Sequence, residues 1–199
     1  MQEQRLTISR DLHDNIGAQL TFVISSVDNL KYGNQITDKK ITNQLTKISD
    51  FTKSTIIELR DTIWAMNTND FTFDDLRSRI FNFIEKAKTA KEEVVFLFEI
   101  DKAILTTKLS SINGINVYRA IQEAINNAIK YAHAHNVEVD VKHHENHIKI
   151  MIADDGRGFD VDTVAWGNGL HNMKKRIEDI GGKFSITSTE KGTNVTFLI

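Results

Sequence analysis

The chain has 199 residues, 40% of them apolar and 26% charged, a balance that suits one or two folded domains and argues against a disordered chain. A formal charge of −2 excludes the basic field that nucleic acid or an anionic membrane surface would favour. With no cysteine, disulfides, thiolate metal sites and cysteine nucleophiles are ruled out, as a reducing compartment would allow.

The chain contains no proline, which suits long uninterrupted helices. From Ile8 the apolar residues run through Leu12, Ile16, Leu20, Val23, Val27 and Leu30 in steps of four and three, one face of a helix. "KYGNQITDKK" interrupts the pattern. A second series follows at Ile41, Leu45, Ile48, Thr52, Ile56, Leu59, Ile63 and Met66. These two stripes predict a helical hairpin over residues 1–69. Two such helices cannot bury both stripes against each other, so a second hairpin from another copy is expected to complete a dimeric four-helix bundle.

Past "NTNDFTFDDL" the period changes, and a second domain is expected over residues 70–199. A helix at about 74–91 leads into the strand "VVFLFEI". In "NVEVDVK" Val137, Val139 and Val141 alternate with charged residues, and "HIKIMIAD" alternates through Ile148, Ile150 and Ile152, with Glu145-Asn146 as the turn between them. Two later strands, "KFSITST" and "TNVTFLI", flank the turn "EKG". Helices are expected at about 110–134 and 170–181. The class is α+β: an α/β sandwich whose mixed sheet has one face covered by helices. No apolar run reaches the roughly 18 residues of a membrane span, and the sequence opens inside a helical pattern. It is therefore expected to be a soluble, cytoplasmic piece of a longer protein, with any attachment to the inner membrane lying in a missing N-terminal region.

Four patterns carry candidate chemistry. In "YRAIQEAINNAIKYA" the residues Ala120, Ile121, Ala124, Ile125, Ala128 and Ala132 can face the sheet, while Glu123, Asn127, Lys130 and Tyr131 share the opposite face. "IADDGRGF" ends a strand on Asp154, whose carboxylate can accept from an amine, and then brackets one residue with Gly156 and Gly158, which permit close backbone approach. "GNGLHNMKKRIEDIGG" places Gly167, Gly169 and Leu170 at the start of a helix, where amides and dipole favour a phosphate. The last is the strand turn with Gly192 and Thr193. Each alone is weak, because a glycine turn and a solvated helix face are common. The spacing is neither that of a P-loop nor that of a dinucleotide fingerprint.

In this order the four patterns, over about residues 95–199, resemble the nucleotide-binding domain shared by DNA gyrase, heat-shock chaperone ATPases, histidine kinases and mismatch-repair ATPases. The resemblance implies ATP as ligand, Asn127 as a ligand to Mg²⁺ bridging the phosphates, and Asp154 as acceptor for the adenine amino group. It makes the two glycine pairs the frame of a lid over the phosphates. Lys130 is then a candidate cation for the phosphates, and Thr193 a candidate contact. Tyr131 stands where relatives often have histidine, and its hydroxyl can still reach a phosphate or water.

The first 70 residues select a branch. "ISRDLHDNIGAQL", "IIELRDTIWAMN" and "QEAINNAIKYA" resemble bacterial sensor histidine kinases of the subclass that includes nitrate and membrane-fluidity sensors. This resemblance implies a homodimeric transferase of two-component signalling, a phosphoprotein in which His13 attacks the γ-phosphate of ATP. Neutral imidazole is nucleophilic near its ordinary pKa of about 6.5, and Asp14 beside it can orient the ring and take its proton. Gly17, one turn later, leaves room above His13. The phosphoryl group is expected to pass to an aspartate on a response regulator receiver domain. Relatives use a glutamine five residues after the histidine for phosphatase activity; here that residue is Ala18, and Gln19 lies about 100° further round the helix, so weak phosphatase activity is expected. The alternative is an ATP-hydrolysing dimerisation module in which Glu123 activates water.

Overall fold

The computed structural model describes residues 15–33, 38–67, 71–161, 163–164 and 167–199. The expected stripe positions Ile8 and Leu12, and with them His13 and Asp14, lie outside that set. The chain divides into two compact units, Met1–Asn69 and Asp70–Ile199.

In the first unit, helix α1 (Gly17–Gly33) and helix α2 (Lys39–Asn67) pack against each other. Asp38 starts α2, its Oδ1 accepting from the N–H groups of Lys40 at 2.7 Å and Ile41 at 3.3 Å, which satisfies two donors that the helix itself cannot. The seam between the helices differs from the apolar stripe. Among the described residues of the hairpin Val27, Ser49, Thr52 and Ile63 are buried, whereas Val23, Leu30, Ile41 and Ile48 stay exposed. Two helices share only a narrow line of contact, and it passes through Ser49 rather than Ile48. Thr52 is accommodated because its hydroxyl donates to the Ile48 carbonyl at 2.8 Å.

The second unit opens with β1 (Phe71–Thr72) and helix α3 (Phe73–Ala90). A capping box joins them: the Thr72 hydroxyl accepts from the Asp75 N–H at 3.2 Å, and the Asp75 carboxylate accepts from the Thr72 N–H at 2.9 Å. Phe73, Leu76, Ile80 and Ile84 form the buried stripe of α3. Strand β2 (Val95–Ile100) follows, then a 3₁₀ turn over Lys102–Ile104 and the short β3 (Lys108–Leu109). Antiparallel pairing of β1 with β3 matches Phe71 to Leu109, a two-residue sheet that local periodicity does not reveal. It presses the Phe71 ring onto Gly114, where a Cβ would stand 2.6 Å from Phe71 Cε1.

Helix α4 (Ser111–Asn127) is capped by the Ser110 hydroxyl and continues in a π-helical turn, Ala128–Ala132, so the single long helix expected at about 110–134 is in fact composite. After it come β4 (Asn136–His144), β5 (His147–Asp154), helix α5 (Asn168–Glu178), β6 (Lys183–Thr189) and β7 (Gly192–Leu198). The five long strands form one sheet in the order β2-β4-β5-β7-β6, parallel between β2 and β4 and antiparallel elsewhere. Val137, Val139, Val141, Ile150, Ile152, Val195 and Phe197 bury one face, while Glu138 and Lys142 on the other are exposed. Over the buried face, α4 packs on β5 and α5 on β6. The result is a mixed α+β sandwich. Among the described residues no helix is long and apolar enough to cross a membrane.

Candidate functional site

A cleft of about 720 Å³ opens in the second unit where α4, the end of β5, the start of α5 and the middle of β7 converge. Helix α4 and its π-helical turn contribute Glu123, Asn127 and Tyr131; the end of β5 contributes Asp154 and the segment after it Gly158. Gly167, Gly169, Leu170 and Thr193 complete the polar and backbone lining, and Ile152, Met173, Ile186 and Val195 supply apolar walls.

Two expected site residues lie elsewhere. Lys130 is exposed and does not line the cleft. The i→i+5 bonding of the π-helical turn fits more residues into each turn, so Lys130 falls further round from Asn127 than α geometry would put it. Gly156 is buried behind the cleft against Ala132, and its N–H donates to Asp154 Oδ1 at 2.9 Å. Its part is to hold Asp154, not to line the space. His13 and Asp14 lie outside the described residues.

Adjacent carboxylates in this segment have opposite environments. Asp154 is half-buried, and burial raises its pKa above the usual carboxylate value although the N–H groups of Gly156 and Thr193 stabilise the charge. Asp155 is exposed, and hydrogen bonds from the Asn136 backbone and side chain, with the His135 N–H, hold its pKa below that value. These bonds measure 2.8 Å from each backbone N–H and 2.6 Å from Asn136 Nδ2. Gly192, at φ +126, lies directly against the Asp154 carbonyl, where a Cβ would collide with that oxygen. Only glycine lets β7 begin there.

Helix α5 has Gly167 as its N-terminal cap residue and no side-chain cap, so the amides of its first turn are open to an anion. Glu123 reaches the same place: its Oε1 occupies the position a Cβ on Gly169 would need. Among the described residues no three His, Asp, Glu or Cys side chains gather as a metal cluster. A cleft that combines apolar walls, one half-buried carboxylate (Asp154), an amide (Asn127), a second carboxylate (Glu123) and an uncapped helix start can take an anionic ligand with an apolar part, and Asn127 and Glu123 are the side chains that could hold a metal ion beside it. Sequence reasoning missed Arg157, Phe159 and Met173 among the lining residues, and Ser188, which receives the Phe159 N–H at 3.0 Å and bonds Thr193 Oγ1 at 2.9 Å. Strand alternation can tell that a side chain points inward, but not which end of the sheet opens.

Fold and cleft together define a nucleotide-binding domain attached to a helical hairpin. Two family models match the chain: "Histidine kinase" over residues 4–71, and "Histidine kinase-, DNA gyrase B-, and HSP90-like ATPase" over residues 113–199. The chain belongs to the histidine kinase family, and its second unit is of the ATP-binding kind. It is 26% identical over 191 residues to the sensor histidine kinase YxjM of Bacillus subtilis, covering 94% of this chain and 45% of that protein. It is 25% identical to a sensor-like histidine kinase of Chloroflexus aurantiacus, covering 100% of this chain and 34% of that one. The chain thus spans less than half the length of these relatives. Among solved structures, Acinetobacter baumannii histidine kinase AdeS is similar with a TM-score of 0.60 at 16% identity, covering 94% of this chain and 96% of that one. The histidine kinase domain of the Erythrobacter litoralis EL346 blue-light activated kinase gives 0.59 at 14% identity, covering 92% and 95%. At such identities the likeness is one of fold.

Proposed function

We propose that this chain is the catalytic core of a sensor histidine kinase that autophosphorylates His13 from ATP and passes the phosphoryl group to an aspartate of a response regulator. The observation that carries the reading is the convergence of Glu123, Asn127 and half-buried Asp154 on one cleft beside the uncapped start of α5. Asp154 accepts from the adenine amino group while Ile152, Ile186 and Val195 wall the ring. The amides of Gly169 and Leu170 hold phosphate oxygens at the positive end of α5. Asn127 offers its amide oxygen to Mg²⁺, which when bound offsets the phosphate charge. On the hairpin, a ring nitrogen of His13 bonds to the γ-phosphorus, the bond to the β,γ-bridging oxygen breaks and ADP leaves; the ring proton passes to Asp14.

A second copy is supported by the hairpin's surface, where Ile16, Phe22, Val23, Leu30, Ile41 and Ile48 are exposed in the single chain. Space around Gly17 is open, since a Cβ there would meet nothing within 4 Å. Label from γ-labelled ATP is expected on the protein in acid-labile form and to vanish in His13→Gln. Label unchanged in that variant overturns the assignment, and release of phosphate without any labelled protein favours hydrolysis with Glu123 as base. With Ala18 at the phosphatase position, a phosphorylated regulator is expected to lose phosphate slowly in the presence of this chain; rapid loss would overturn that point.

A further inference from the structure

The helix that carries Glu123 and Asn127 does not end in solvent. Its final turn is π-helical, and His133 leaves it at φ +53. The last carbonyls of a helix have no donors within it. Here two of them are taken by one residue of another element: the Arg157 N–H donates to the Ala132 carbonyl at 2.8 Å, and Arg157 Nε–H donates to the Tyr131 carbonyl at 3.0 Å. Neighbouring residues close the same joint. A Cβ on Gly156 would stand 2.6 Å from the Ala132 Cβ, and Asp155 gathers the N–H groups of His135 and Asn136 together with the Asn136 amide. The chain is therefore anchored just after the π-helical turn, so any change in that turn's register is taken up upstream, at Asn127.

We infer that Arg157 is a positioning residue: from the loop after β5 it caps the π-helical end of α4 and thereby fixes Asn127 relative to Asp154, so that the metal-holding and base-recognising sides of the cleft act together. The inference rests on the ATP reading above. A cationic donor at a helix C-terminus is favoured by the helix dipole as well as by the hydrogen bond. Arg157 also lines the cleft, so a direct effect of its charge on phosphates is the competing explanation.

Two substitutions separate these roles. In Arg157→Gln the amide nitrogen falls at the same bond distance from the backbone as the arginine Nε and keeps an N–H donor there without charge; Arg157→Lys keeps the charge but puts a methylene at that place. The measurement is calorimetric titration of the full chain with a non-hydrolysable ATP analogue, with Mg²⁺ and with chelator. Arg157→Ala and Arg157→Lys are expected to lose roughly tenfold of the affinity gained on adding Mg²⁺, the scale of one charge-assisted hydrogen bond, with metal-free affinity within about twofold of wild type. Arg157→Gln is expected to restore most of the gain, and Arg157→Ala to add no further loss in the Asn127→Ala background. Restoration by lysine and not glutamine, a parallel fall with and without Mg²⁺, or an undiminished gain in all three variants overturns the inference while leaving nucleotide binding intact. Failure of the wild-type chain to bind the analogue removes the ATP reading, and the positioning role with it.

Discussion

In the unit from Asp70 to Ile199 a large set of apolar side chains is buried, Phe71, Phe73, Leu76, Ile80 and Phe197 among them, although Phe81, Leu97 and Ile112 stay exposed; among the described residues of the hairpin only Val27 and Ile63 of the apolar side chains are buried, and Phe22 and Phe51 are each 73% exposed. The contrast follows from geometry. A five-stranded sheet with helices on one face encloses a volume, while two helices meet along a line and leave most of each surface open. The second unit therefore holds a closed core with a cleft at its edge, and the first leaves apolar surface exposed, as the proposed assembly of two copies requires. Binding chemistry and assembly are expected to be separable by mutation.

The largest effect is expected at the cleft. Asn127→Ala or Asp154→Asn should weaken nucleotide binding by about 100-fold or more, since each removes a group that the proposed binding mode uses, and should leave hairpin assembly unchanged in sedimentation. Asp154→Asn carries a second signature. Because burial raises the Asp154 pKa, the folded protein holds the proton more tightly than the unfolded chain, so this carboxylate increasingly lowers stability as pH rises from its ordinary value through the raised one. The variant should melt no lower than wild type at neutral pH, and any advantage should disappear in acid. A fall in melting temperature at pH 7 would contradict this.

Next in size, Ile48→Glu puts a charge on the exposed hairpin face and should shift a dimer toward monomer while nucleotide affinity in the second unit stays within about twofold. Loss of nucleotide binding together with assembly would break the separation of the two units. A third substitution, Gly114→Ala, drives a methyl group into the buried Phe71 ring and should destabilise the second unit by about 1–3 kcal/mol in denaturant titrations, sparing the hairpin. The smallest effect belongs to Asp155→Asn. Asp155 has a lowered pKa, so its stabilisation is present above the ordinary carboxylate value and is lost as pH falls through the lowered one. The melting difference between wild type and variant should accordingly exist at pH 7 and close below about pH 4; a pH-independent gap would mean that the Asn136 contacts do not depend on the charge.

Strands were the most legible elements: β5 and β6 match the expected "HIKIMIAD" and "KFSITST", because a half-buried strand writes its two faces into every second residue. Helix α5 begins at Asn168, two residues before the expected start, since glycine leaves no periodic mark. In the hairpin the apolar stripe named Ile48 while the seam took Ser49, because the stripe records every surface the helix will cover and one neighbour covers only part of it.

Spacing in the chain determined that Glu123, Asn127 and Tyr131 share one helix face and that Asp154 ends a strand, since both are consequences of local geometry. Tertiary structure alone decided that Lys130 turns away from the cleft, that Gly156 backs Asp154, that β1 finds β3 from Phe71 to Leu109, and that Arg157 caps a helix ending 25 residues before it at Ala132. The last two are pairings between distant segments and the first two depend on a π-helical turn and a loop conformation, and a pattern with a period of two or 3.6 residues carries no information about either.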